Sequence, residues 1–234
     1  MVQQHKNINL IALISIALFL QGCSGNTGNP TFEQIHSGTD GLVMDFDLRT
    51  TPVDTLEEST FYATLKLHNS GAEDINDGVL KIVSDDYISL EEDRKEIKII
   101  VEGKSKYNFD GGIKIERFKL KANPLNEESQ SHYSQIIGIA CYDYSTTFAG
   151  QACIASQFKR EEDEQEGTCK PEIINSGSQG APVEVYSVEP RYEEEADKTL
   201  RPVFFIRIRN AGDGQVIAFG KETEACSSAM DKSF

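Results

Sequence analysis

The chain has 234 residues, 23 Lys and Arg against 38 Asp and Glu, a formal charge of −15, five Cys and no Trp. That length holds one large or two small domains. The acidic balance argues against a nucleic-acid partner, because affinity for phosphate backbones comes largely from Lys and Arg. It fits an exposed surface that charge keeps soluble.

The N-terminus is polar, with one cation, Lys6, and no acid. Ile8 to Leu20 then forms an apolar run broken only by Asn9 and Ser15. This is the layout of an export signal. The run is short for a membrane span, which needs about 20 apolar residues. Leu20-Gln21-Gly22-Cys23 closes it. These four residues resemble the prokaryotic lipobox, with an apolar first position, a small third position and Cys last. Gln21 departs from the usual small or aliphatic second position. The resemblance implies a signal peptide over 1–22 and acylation of the Cys23 thiol. It also implies a lipid anchor at the cell membrane, on the extracellular or periplasmic side. An uncleaved signal anchor, or cleavage elsewhere with Cys23 as a plain thiol, are the alternatives. Two or more acyl chains, at about 0.8 kcal/mol per buried CH₂, hold a protein stably at a bilayer. The mature chain carries 22 basic and 38 acidic residues, a charge of −16. Lipid rather than surface charge would therefore be its membrane contact.

Residues 23–40 read as a flexible tether, since Ser24 to Asp40 is rich in Ser, Gly, Asn, Thr and Pro. From Gly41 the pattern turns to period two. Leu42, Met44, Phe46 and Leu48 form one apolar row, and Phe61, Ala63, Leu65 and Leu67 another. Both predict half-buried strands facing one core. Asn69-Ser70-Gly71 marks a turn, and Asn76-Asp77-Gly78 precedes a strand over Val79 to Val83. Glu96 to Val101 is the next. In Ile113 to Leu120 the apolar phase changes between Ile115 and Phe118. A β-bulge there would return all four apolar side chains to the core; burial on both faces at one end is the alternative. Ser134 to Tyr144 and Thr147 to Phe158 predict a closing hairpin. Seven short runs spaced by turns, without a 3.6-residue period, predict an all-β fold. Residues 41–158 are expected to form an antiparallel, loosely Ig-like β-sandwich behind the N-terminal signal helix.

With Cys23 acylated, Cys141, Cys153, Cys169 and Cys226 remain, an even set in an exported chain. Four cysteines allow three pairings. The predicted hairpin favours Cys141 with Cys153, which leaves Cys169 for Cys226; the other pairings stay open. No CxxC occurs, so no zinc site is expected.

Residues 159–180 read as a linker. They contain the charge run Glu161-Glu162-Asp163-Glu164-Gln165-Glu166 and a Gly/Ser-rich stretch from Asn175 to Gly180. The opening pattern then returns over 181–234. A strand begins at Ala181 to Val185, and Val203 to Arg209 is another, ending in Asn210-Ala211-Gly212. The two Asn-x-Gly turns are 141 residues apart, and each follows a first strand starting about 28 residues earlier. A duplicated module explains strand, spacing and turn together. The strand–Asn-x-Gly–strand pattern resembles Ig-like modules, of the cell-adhesion-related kind, in archaeal and bacterial surface lipoproteins. The resemblance covers 41–83 and 181–219. It implies a β-sandwich in a spacer or binding role and transfers no functional residue. From Ala181 only 54 residues remain, against about 100 for a complete sandwich. The second module is therefore expected to be incomplete, truncated or completed by a partner strand, with edges that invite pairing.

No catalytic constellation is found. His36, His68 and His132 share no metal-ligand spacing and belong to no nucleophile motif. Asp45 with Asp47, Asp74 to Gly78, and Asp85 with Asp86 miss the calcium-loop pattern and read as turn chemistry. Tyr142, Tyr144 and Phe148 form either an aromatic contact surface or inward packing. No enzyme activity, metal or cofactor is expected. The chain reads first as a lipid-anchored protein whose modules contact a protein partner, self-associate through the second module, or act as a spacer. An accessory solute- or glycan-binding lipoprotein is the second reading, and an exported enzyme the third.

Overall fold

Apolar side chains at period two leave one face of a strand to bury, and most of the predicted rows do pair into sheets. In the computed structural model, which describes residues 31–91, 96–153, 172–194, 200–218, 220–221 and 226, strands take 45% of the chain and helix 3%. The protein is all-β, and every strand pairing is antiparallel.

The elements begin with a helical turn, α1 (Phe32–Ile35). Among the described residues ten strands follow in chain order: β1 (Leu42–Phe46), β2 (Thr60–Asn69), β3 (Ile75–Ser84), β4 (Ile88–Leu90) and β5 (Ile97–Val101). Then come β6 (Ile113–Ala122), β7 (Ile136–Tyr142), β8 (Ile174–Asn175), β9 (Val183–Glu194) and β10 (Leu200–Asn210). They form three sheets, ordered β1-β2-β6-β4, β5-β3-β7 and β10-β9-β8.

The first two sheets share one core. Phe61, Ala63, Leu65 and Leu67 of β2, with Phe118, Leu120 and Ala122 of β6, meet Leu80 and Ile82 of β3 and Ile97 and Ile99 of β5. Leu42, Met44 and Phe46 pack on its margin, whereas Leu48 lies in the following turn and is exposed. At about 25 cal/mol per Å² of apolar area removed from water, burial of this set is the main force closing the two sheets. Gly138 faces this core, and a Cβ there would stand 2.6 Å from Leu65 Cδ2. Only glycine lets β7 come this near.

Three expectations need correction. No bulge interrupts β6, whose register with β2 runs unbroken from Ile113 to Lys121. Ile113 and Ile115 point away from the core and are exposed. Lys114 and Glu116 occupy the inward positions instead, joined by an ion pair of 3.0 Å. The apolar row of β6 therefore stops at Phe118, while Leu65 and Leu67 of β2 carry the core further. Second, residues 147–153 form no strand; the rest of that predicted strand, 154–158, lies outside the described residues. Its would-be partner β7 pairs with β3. Third, Cys141 is bonded to Cys226, 85 residues on, with their Cα atoms 6.0 Å apart. Ile136, Ala140 and Tyr142 of β7 face the core, so alternation turns Cys141 to the opposite face of its sheet. Cys153 is disulfide-bonded as well, to a partner outside the described residues.

The expected signal segment 1–22, Cys23, the acidic run 161–166 and Cys169 also lie outside the described residues. So does most of 219–234.

Candidate functional site

Three places bring chemically capable side chains together. The first is a junction built on β7. Tyr142 and Tyr144 follow each other at strand spacing, their rings edge-on with centroids 5.9 Å apart. Tyr142 Oη accepts from the Leu42 N–H at 3.0 Å. Tyr144 Oη accepts from the Glu73 N–H at 3.2 Å and donates to the Gly180 carbonyl at 2.8 Å. Burial raises both phenols, Tyr144 to about 12. A phenol held neutral with both hydrogen-bonding roles used is a structural clamp. Of the two sequence alternatives for these tyrosines, inward packing is the one observed.

Around this clamp, residues 178–183 lie on the loops of the first sheets. The Gly38 N–H donates to Ser178 Oγ, the Gly180 N–H to the Gly38 carbonyl, and the Ala72 N–H to the Gly180 carbonyl. The nearby turn α1 carries a capping box between Thr31 and Gln34. Such a box satisfies two otherwise orphaned helix donors.

The second place is a shallow cavity of about 330 Å³ lined by Asp85, Asp86, Tyr87, His132, Tyr133 and Gln135. It sits at the β3–β4 turn, where the Tyr87 N–H donates to Asp85 Oδ1 at 3.1 Å. His132 packs on the Tyr87 ring at 4.1 Å between centroids, and its Nε2 lies 3.3 Å from Asp85 Oδ2. Tyr133 is 98% exposed. An acceptor-rich floor beside open aromatic faces can hydrogen-bond a polyol and stack on its apolar side. Elsewhere His68 Nε2 donates to the Asp110 carbonyl at 2.6 Å, and its Nδ1 lies 3.2 Å from the Ser70 hydroxyl. His36 stacks on Phe32 in α1. Among the described residues no group of three or more His, Cys, Asp or Glu could hold a metal ion.

The third place is the β9–β10 hairpin. One face alternates acids with arginines. Glu189 Oε1 meets Arg191 and its Oε2 meets Arg207, each at 2.9 Å, and Arg209 meets Glu184. The bonds from Arg191 and Arg207 hold Glu189 below the usual carboxylate range. Arg191 lies over the Phe205 ring and Arg209 over Tyr186. The other face is apolar. Across it runs the row Ile174, Val188, Ile206, given by the pairings of β8 with β9 and β9 with β10. Val188 is buried, but Phe204, Ile206 and Ile208 are 43%, 58% and 63% exposed. Among the described residues β10 is an edge strand of this sheet, as β8 is at the other side.

The register of this hairpin repeats that of the first. Leu42 pairs with Asn69, Val43 with His68 and Met44 with Leu67. Exactly 141 residues later, Val183 pairs with Asn210, Glu184 with Arg209 and Val185 with Ile208. The turn is repeated too. Asn69 Nδ2 donates to the carbonyl four residues on, Glu73, at 2.7 Å, and Asn210 Nδ2 does so to Gly214 at 2.7 Å. The Ser70 N–H bonds the Gly41 carbonyl, and the Ala211 N–H bonds the Pro182 carbonyl. The two hairpins part company at Tyr186, where a register shift between Arg207 and Ile208 inserts an extra residue in β9.

Compared with known proteins, the chain matches no protein-family model and no curated sequence.

Proposed function

We propose that this chain is a lipid-anchored extracytoplasmic protein whose Ig-like β-sandwich and second β-module act through contact with another protein or as a surface spacer. The observation that carries it is Leu20-Gln21-Gly22-Cys23 at the close of the apolar run. The bond between Cys141 and Cys226 supports it, since disulfides persist in exported compartments. Strand order supports the Ig-like reading. The sequence β1-β2-β6-β4 follows the A-B-E-D order of such sandwiches, and β3 beside β7 follows C beside F. The third strand of that sheet, β5, sits on the β3 side rather than beside β7. The lipid is the membrane contact, and the paired hairpin faces offer the protein contact.

Metabolic labelling with a fatty acid, followed by membrane fractionation, tests the anchor. Label and membrane association are expected in the parent and lost in Cys23→Ser. A soluble, unlabelled parent chain would sink the reading.

A second reading, glycan or solute binding, is favoured by the cavity of Tyr87, His132 and Tyr133. Titration with soluble oligosaccharides followed by tyrosine fluorescence checks it. Saturable quenching that disappears in Tyr133→Ala would move the weight there.

A further inference from the structure

We propose that the open edge of β10 binds β10 of a second copy of this chain, antiparallel and centred on Ile206. The proposal deepens the reading of the chain as an interaction module and rests on it.

The internal repeat shows what kind of element belongs on this edge. β2, which matches β10 at an offset of 141 residues, has β1 on one side and β6, antiparallel, on the other. β10 has β9 on the matching side, and no described strand on the other. The offset carries Ala63, Leu65 and Leu67, all buried, onto Phe204, Ile206 and Ile208, all exposed. An antiparallel strand added there would extend the row Ile174, Val188, Ile206 by one more apolar side chain.

Charge selects a second copy as the occupant. The whole chain carries −15, so two copies repel over most of their surfaces. Yet β9 and β10 together carry Glu184, Glu189, Glu193 and Glu194 against Arg191, Arg201, Arg207 and Arg209, a balance of zero. The hairpin is where two such acidic molecules can approach most cheaply.

Register then follows from side-chain pairing. A twofold axis normal to the sheet keeps each face continuous only if a residue sits opposite its own copy. Centred on Ile206, the pairing sets Phe204 against Ile208 of the second copy on the apolar face. On the other face Arg207 meets Phe205 and Arg209 meets Val203, so no arginine faces another. Centring on Phe205 would set Arg201 against Arg209, and centring on Arg207 would set that residue against itself. Like charges directly opposite destabilise a ladder, so of these three central registers the one on Ile206 is favoured.

The test uses the full-length chain purified in detergent. Sedimentation should give a protein mass about twice that of one processed chain. Ile206→Lys, a charge placed on an edge strand, should weaken self-association roughly tenfold or more. Mild oxidation of Ile206→Cys should give a disulfide-linked dimer, measured against the parent as control. Phe204→Cys and Ile208→Cys should link only when mixed with each other. Circular dichroism checks that each variant keeps its strand content. A chain that stays monomeric, or a dimer that Ile206→Lys leaves intact, overturns the proposal. Because the readout is self-association, its failure leaves the fatty-acid labelling result standing.

Discussion

The β1–β2 and β9–β10 hairpins carry the same local instructions and meet different surroundings. Both start one residue after a Gly or Pro whose carbonyl caps the returning strand, and both end in an Asn whose side chain closes the turn. In the first, β2 lies between β1 and β6, and its apolar row faces the opposing sheet. In the second, β10 is an edge and the matching row faces outward. The outward faces differ as well. Val43 opposite His68 becomes Glu184 opposite Arg209, so ion pairs support the second hairpin where hydrophobic burial supports the first. Local sequence sets the register of a hairpin, but its neighbours decide what that register is worth.

The sharpest way to break this comparison is to make the same truncation at matched positions. Leu67→Ala removes a fully buried side chain and should cost about 2–5 kcal/mol in chemical denaturation. Ile208→Ala, at the equivalent place in β10, should fall within about 0.5 kcal/mol at concentrations where the chain is monomeric. Equal losses would show that β10 is packed as β2 is.

The turn residues come next. Asn69 is buried and makes three bonds, from Nδ2 to the Glu73 and Val101 carbonyls and to Oδ1 from the Gly71 N–H. Its replacement by Ala strands those partners and should cost about 2–3 kcal/mol. Asn210 is exposed and donates to Gly214, so Asn210→Ala should cost about 1 kcal/mol or less. Thermal or denaturant melts of the two variants, side by side, provide the measurement.

A smaller effect concerns pH. Burial lifts the Tyr144 phenol from its ordinary value near 10 to about 12. The folded state therefore holds this proton more tightly than the unfolded chain. Its contribution is intact below pH about 10 and is lost as pH rises toward about 12. Tyr144→Phe should flatten that part of the stability profile. An unchanged slope would remove Tyr144 as its cause.

Salt should give the smallest difference. The arginine–glutamate pairs on β9–β10 are largely exposed on the arginine side, and exposed pairs are screened and worth little. Amide exchange in 1 M salt should quicken slightly in β10, with β2 unaffected. Equal quickening in both strands would point to a general loss of stability instead.

These contrasts also show what a sequence can carry. Alternation placed β1, β2, β3, β5, β7, β9 and β10 because one buried face imposes a period of two. The Asn-x-Gly repeat was legible for the same reason that its register recurs, since the turn and its carbonyl partner are local. β4 is three residues long, too short for any periodicity. The phase change at Ile113 and Ile115 was legible but not its cause. An ion pair between Lys114 and Glu116 closes the inward face there, so two isoleucines can lie outside without a bulge. The pairing of Cys141 with Cys226 depends on which face of β7 each odd residue takes and on a segment 85 residues distant. The cavity of Tyr87 and His132 likewise joins segments some 45 residues apart. Neither leaves a local trace.

The Cys141–Cys226 bond has a mechanical consequence. If the chain is pulled between its N-terminal end and any point beyond Cys226, tension reaches β7 and crosses to Cys226 through sulfur. Everything from Tyr142 to residue 225, including the whole β9–β10 hairpin, forms a covalently closed loop outside the load path. Stretching could extend the first two sheets while the edge of β10 kept its shape and its availability for pairing.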